Sequence, residues 1–204
     1  MILIKPSSKV LAVSVFSLNL IELAGRVCYK SEDKITKESN LKFAEKIINL
    51  GHESVLEHAS ATVRIICDRG VSHEIVRHRL ASYSQESTRY CDYNKSQVTF
   101  VIPPWVSIEP GEYLVATNEW MHAMISAEDA YKALRLQGWK PEQARSVLPN
   151  SLKTELVMTA NFREWRHVFK LRTSDRAHPQ MREIMCPLLE QFRQLIPVIF
   201  DENI

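Results

Sequence analysis

Fourteen consecutive residues, Arg77-His78-Arg79-Leu80-Ala81-Ser82-Tyr83-Ser84-Gln85-Glu86-Ser87-Thr88-Arg89-Tyr90, hold three arginines, a histidine, three serines and two tyrosines, with few aliphatic side chains. That mixture suits an anion. A guanidinium is planar, keeps its charge and matches phosphate oxygens two at a time, and a serine hydroxyl adds a neutral donor. Arg77 and Arg79 fit a pyrophosphate or an electron-rich ring. Ser87 and Arg89, two apart, would face the same way from an extended segment. The same composition also describes a solvated, salt-bridged loop, and composition alone does not choose between the two.

Other residues that could do chemistry are weaker signals. His52-Glu53-Ser54-Val55-Leu56-Glu57-His58 has its histidines six apart, whereas a zinc-binding helix places them four apart on one face, so no metal set is read here. Ser54 reads as a helix cap with Glu57 as its capping-box partner, or as a hydroxyl touching a cofactor near that helix start. Ser82, Ser84 and Ser87 near His78 leave a Ser/His hydrolase open, although no G-x-S-x-G elbow surrounds any of them. Arg145, Asn161, Arg163, His167 and Arg172 stand alone in sequence. Arg172 falls at a helix end, where a cation favours the dipole without any ligand.

What is missing narrows the chemistry. The five glycines never approach the spacing of G-x-G-x-x-G or of a P-loop, so side chains rather than a glycine turn would hold any dinucleotide. Lys plus Arg number 26 against 24 Asp plus Glu, a formal charge of +2, too balanced for a protein that coats a polynucleotide or a membrane. A non-catalytic nucleotide- or RNA-binding module built on the same arginines stays open and is disfavoured by that balance. Four scattered cysteines form no CxxC and suggest neither a zinc ribbon nor a disulfide framework. No apolar run reaches the roughly 20 residues of a membrane span. The start, Met1 to Lys9, lacks the zones of a signal peptide. A cytoplasmic protein is expected.

The elements that must position these residues follow from periodicity. At 204 residues, 45% hydrophobic and 25% charged, the chain reads as a single domain with a substantial core. Alternation at Val10, Ala12, Ser14 and Phe16 predicts a short strand, and Leu18 to Tyr29 a helix. Leu41, Ala44, Ile47, Ile48 and Leu50 keep a helical period that Gly51 ends. Ala61 to Cys67 is rich in β-branched residues and predicts a strand. Asp68-Arg69-Gly70 then reads as a turn, and Val71 to His78 as a short helix. Val98 to Ile102 predicts a strand closed by Pro103-Pro104. Tyr113, Thr117, Trp120, Met124, Ala127, Tyr131 and Leu134 mark a long helix. A short helix from Pro141 to Arg145, a strand over Leu152 to Ala160 and a helix over Phe162 to Leu171 follow. The last helix, from about Pro179, carries Met181, Ile184, Met185, Leu188, Leu189, Phe192, Leu195 and Ile196 on one face, with a kink expected at Pro187. Few strands, many helices and no regular βαβ alternation indicate an α+β fold.

The motif Arg77-His78-Arg79, seven residues, then Ser87 resembles the signature of the flavin-dependent thymidylate synthases, the ThyX type. Gly51 to His58, Ala144-Arg145 with Leu148-Pro149, Asn161-Phe162-Arg163 and Leu171-Arg172 to His178 also look like landmarks of that family, in its order. The resemblance spans nearly the whole chain. It implies a single catalytic domain over residues 1–204 with a central, mostly antiparallel sheet flanked by helices. It implies reductive methylation of dUMP to dTMP, with 5,10-methylenetetrahydrofolate as carbon donor and NADPH as reductant through FAD. A homotetramer with active sites shared between subunits is also implied, with no polynucleotide or membrane partner. By motif position Ser54, Arg77, His78, Arg79, Gln85, Asn161, Arg163 and His167 would contact FAD. Glu74, Arg77, Gln85, Glu86, Ser87, Arg89, Arg145 and Arg172 would line the dUMP pocket, with Arg172 as the catalytic group beside the uracil ring. Ser87 is read as a phosphate-side ligand rather than a nucleophile.

Overall fold

The structure is a computed structural model and describes residues 1–108 and 114–201. In chain order its elements are β1 (Ile2–Ile4), β2 (Ser7–Val13), α1 (Ser17–Val27), α2 (Ser39–Asn49), β3 (Ser60–Asp68), α3 (Arg69–Ile75), β4 (Ala81–Gln85) and β5 (Thr99–Val101). They continue with α4 (Val115–Leu136), α5 (Pro141–Ala144), β6 (Lys153–Asn161), α6 (Phe162–Arg172), α7 (Pro179–Leu195) and α8 (Pro197–Phe200). These elements group into two compact units. The first takes Met1–Ser7, Ile66–Arg77 and the described residues from Ser84 to Leu156; the second takes Ser8–Ile65, His78–Tyr83 and the described residues from Val157 on.

In the first unit β1 pairs parallel with β5, Ile2 opposite Thr99 and Ile4 opposite Val101. The N-terminal amine meets Glu128 of α4 at 2.6 Å, and Lys132 reaches the same carboxylate at 2.7 Å. Val98, Phe100, Met124 and Leu152 form a small buried core, with Met1, Leu3 and Trp120 packed against it. α3 starts at Asp68, whose side chain accepts the Val71 amide proton at 2.7 Å. An aspartate there satisfies one of the orphan N–H groups of a helix start. The expected turn at Asp68-Arg69-Gly70 is therefore a cap followed by helix, because the carboxylate lets the helix begin two residues earlier.

The second unit holds the larger core. Trp165, Phe169, Phe192 and Phe200 pack ring against ring, the Phe192–Phe200 centroids 4.8 Å apart, and Trp165 donates its indole N–H to the Ala61 carbonyl at 3.1 Å. The four-stranded sheet has the order β2-β3-β6-β4. Its pairing is antiparallel: Ser14, just past the end of β2, donates to Ser60 at the start of β3, and Phe162, just past the end of β6, donates to Ala59 just before β3. β3 and β6 bury alternate residues, Ala61, Val63, Ile65 and Cys67 on one and Thr154, Leu156, Met158 and Ala160 on the other, as the two-residue period of a one-sided sheet requires. α7 runs on through Pro187 as one helix and buries Met181, Ile184, Met185, Leu188, Leu189 and Phe192. Gln191 on α7 clasps β2, accepting from the Val10 amide at 3.1 Å and donating to the Ser8 carbonyl at 3.0 Å.

Most boundaries fall within two residues of expectation; the first strand, expected near Val10 to Phe16, runs from Ser7 to Val13, because Phe16 takes φ 54° at the start of α1. α2 ends as foreseen: Gly51 takes φ 69°, and the His52 and Gly51 amides return to Ile47 and Ile48 in the paired hydrogen bonds of a glycine-terminated helix. Residues 53–58 form a 3₁₀ turn entered from His52 with no side-chain cap, so Ser54 and Glu57 do not make the expected capping box. Ser87 and Arg89 would face the same way only from an extended segment, with a loop the other form open to this stretch. The Tyr90 and Cys91 amides both bond the Ser87 carbonyl, which folds this stretch into a turn. β1 and α8, at three and four residues, are too short for a periodic signal. Tyr113, the first residue of the expected long helix, lies outside the described residues.

Candidate functional site

In the second unit the centre is His78, 6% exposed. Its Nδ1 lies 3.3 Å from Oε1 of Glu164, itself 6% exposed, and its Nε2 accepts the Nε–H of Arg172 at 3.0 Å. Both partners stand on α6, Glu164 in its first turn and Arg172 as its last residue. Asn161 caps this helix by accepting the Glu164 amide proton at 2.8 Å. The Tyr83 hydroxyl donates to the His78 carbonyl at 2.8 Å, and the His167 ring stands edge-on to His78 at 5.9 Å. Burial, then the Arg172 and His167 charges, push the His78 imidazole down to about 4, so it is neutral near pH 7. Burial also raises the Glu164 carboxyl, against a smaller pull from His167, and holds the Tyr83 phenol up at about 12. With both ring nitrogens of His78 engaged by Glu164 and Arg172, the imidazole is not set up as a base for a serine. The hydrolase reading loses its footing.

A cavity of about 540 Å³ lies in the same unit, walled by Glu53, Glu57, Leu80, Asn161, Arg163, Glu164, Arg166, His167 and Lys170. Arg163 meets Glu57 at 2.6 Å, and Arg166 meets Glu53 at 3.0 Å. Three residues carried over for the cofactor, Asn161, Arg163 and His167, share this wall. Ser54 does not follow them: the 3₁₀ turn presents Glu53 and Glu57 to the cavity, and Ser54 is exposed. Arg79 is likewise exposed.

The residues carried over for a nucleotide phosphate gather in the first unit. The Ser87 hydroxyl accepts the Arg89 amide at 3.3 Å, which pins the turn. Buried Thr88 accepts from Arg145 at 2.9 Å and so ties the residue after α5 to that turn. Arg89 faces Glu142 at 3.6 Å and lies over the Tyr90 ring. Gln85 donates through Nε2 to the hydroxyls of Ser72 at 3.0 Å and Thr154 at 3.1 Å, both buried, which fixes its amide so that Oε1 is the end turned from them. Glu86 accepts from Lys153 at 2.7 Å and from the Tyr93 hydroxyl at 2.8 Å. Glu74 and Arg77 close α3, the Arg77 amide bonded to the Glu74 carbonyl at 3.2 Å. Arg172 belongs to the second unit, apart in sequence from this set.

Several of these neighbours escaped the sequence reading. Thr88 sits inside the dense segment but carries no charge. Arg166 and Lys170 repeat at helical spacing beside Arg163 and look like an ordinary solvated face. Glu164 had a legible signal: Asn161 three residues before a glutamate is the pattern of a helix start.

The family model described as "Thymidylate synthase complementing protein" matches residues 9–198. A flavin-dependent thymidylate synthase of Geobacter sulfurreducens is 39% identical over 187 residues, covering 88% of this chain and 79% of that protein. The chain belongs to this family. Another flavin-dependent thymidylate synthase, from Pyrococcus abyssi, is 37% identical over 176 residues, covering 83% of this chain and 70% of that one. Among solved structures, a UMP/dUMP methylase, PolB, of Streptomyces cacaoi bound with 5-Br dUMP aligns with a TM-score of 0.80 at 25% identity, over 98% of this chain and 96% of that chain. Membership in the flavin-dependent thymidylate synthase family gives the α+β fold with its antiparallel sheet a known setting. Among the described residues no helix is long and apolar enough to cross a membrane.

Proposed function

We propose that this chain catalyses the reductive methylation of dUMP to dTMP, with 5,10-methylenetetrahydrofolate as carbon donor and NADPH as reductant through FAD. In this reading residues 1–204 act as one catalytic domain, in a cytoplasmic homotetramer. One observation carries it: the family match over residues 9–198 coincides with a cavity walled by Asn161, Arg163 and His167, the residues that the resemblance gave to the flavin. The donor set fits that cofactor. Arg163, Arg166 and Lys170 offer cations for a diphosphate, and Asn161 and His167 offer neutral polar contacts. His78, Arg79, Arg77, Gln85 and Ser54 complete the proposed flavin set.

When bound, the flavin supplies hydride chemistry, needed because a methylene-level carbon must leave as a methyl group. The chain's own part is placement and charge. Ser87, Arg89 and Arg145 hold the nucleotide phosphate by charge-assisted hydrogen bonds, with Thr88 keeping Arg145 aimed. Gln85 presents its carbonyl oxygen, because its amide nitrogen is already donated to Ser72 and Thr154. Glu86 and Glu74 act as acceptors and orient nearby cations. Arg172 places a fixed positive charge near the uracil N3 and O4, where it stabilises the negative charge that builds as the ring accepts hydride at C6. Ser87 acts as a hydroxyl donor to phosphate.

The test is direct. Purified protein is expected to be yellow, to release FAD on denaturation and to convert dUMP to dTMP when given both co-substrates. Protein that neither takes up FAD nor oxidises NADPH contradicts the proposal.

A further inference from the structure

We propose that Glu164 is a positioning residue for Arg172, acting through His78: Glu164 accepts a hydrogen bond from the Nδ1–H and thereby keeps the Nε2 lone pair turned toward the Arg172 guanidinium. The Arg172 Nε–H donates to His78 Nε2 at 3.0 Å, so that nitrogen must be unprotonated. A neutral imidazole then carries its proton on Nδ1, and 3.3 Å away the only role open to Glu164 Oε1 is acceptor. Carboxylate and carboxyl both keep an oxygen for that role. The opposite tautomer would set N–H against N–H.

The surroundings hold the chain of contacts still. His78 and Glu164 are both buried, the Asn161 cap fixes the backbone under Glu164, and Tyr83 ties the His78 carbonyl. Among the described residues, the charged and titratable groups facing the ring include Glu164, His167 and Arg172 of α6 and Tyr83 of β4. Burial, with Arg172 and then His167 beside it, keeps the ring neutral at pH 7, as the relay needs. Arg172 is thus aimed from behind by a ring whose tautomer is set one residue further back. Its catalytic consequence rests on the proposed role of Arg172 at the uracil.

The test compares FAD-loaded parent, Glu164→Gln and Glu164→Ala, with imidazole ¹⁵N shifts identifying the His78 tautomer and a His78→Gln variant assigning its signal. The parent is expected to carry the proton on Nδ1. Glu164→Gln, whose amide oxygen still accepts, is expected to keep that tautomer and at least about a third of kcat. Glu164→Ala is expected to release the tautomer and lose about tenfold in kcat, with KM for dUMP and FAD affinity within about threefold, the scale of one hydrogen bond. An Nε2-protonated parent, an alanine variant with unchanged kcat, or a glutamine variant as impaired as alanine would overturn the relay. If the alanine variant does not fold, the parent's tautomer still decides. A parent that makes no dTMP contradicts the proposed function, and the tautomer is read without turnover.

Discussion

Arg172 donates its Nε–H to a neutral imidazole, and that contact orients its guanidinium. Removing the arginine should separate binding from chemistry. Arg172→Ala is expected to retain FAD and to lower kcat for dTMP formation by about a hundredfold or more, the scale of a lost preorganised donor; activity within a few-fold of the parent would contradict its catalytic role. On the phosphate side Thr88→Val keeps the shape of a buried side chain and removes the acceptor for Arg145. KM for dUMP is expected to rise about five- to tenfold with kcat unchanged, the effect of one charge-assisted hydrogen bond. The arginines and Ser87 were legible in sequence because their spacing is a motif. Thr88 and Ser72 were not, since they act on other side chains and nothing in their type announces it, and Glu164 was legible only as the glutamate three residues after Asn161 at a helix start.

At the scale of elements, α6 does the most positioning. One helix start and one helix end hold Glu164 and Arg172, and the Asn161 cap sets where the helix begins. Asn161→Ala is expected to cost about 1 kcal/mol of stability and to lower the Tm by a few degrees in a thermal melt. Helices with a strong apolar period and strands with alternating burial were readable, α2, α4, α7, β3 and β6 among them. What failed was decided by short-range polar contacts. Asp68 draws α3 back over an expected turn, and the Ser87 carbonyl folds into a turn a segment that the sequence left open between loop and extended chain. The 3₁₀ turn at 53–58 forms without the capping box that its sequence offered.

At the scale of the whole molecule, the buried imidazole links stability to pH. The folded His78 is held at about 4 against an ordinary value near 6.5, so between those values the unfolded chain takes up a proton that the folded chain refuses. Stability is expected to fall as pH drops through that window. His78→Gln, which can still accept from Arg172 and donate to Glu164, should flatten the decline when Tm is followed from pH 7 to pH 4. An equal decline in both would rule out His78 as its source. The α+β class was legible from element order and the absence of βαβ alternation. The division into two compact units was not, because β3, β4 and β6 each contribute residues to both and no linker composition marks a boundary. Flavin-dependent methylation of dUMP is put to the test by incubating FAD-loaded protein with dUMP, 5,10-methylenetetrahydrofolate and NADPH and measuring dTMP. The prediction is dTMP formed in step with NADPH oxidation and lost when FAD is removed. FAD-loaded protein that oxidises NADPH yet forms no dTMP would contradict it.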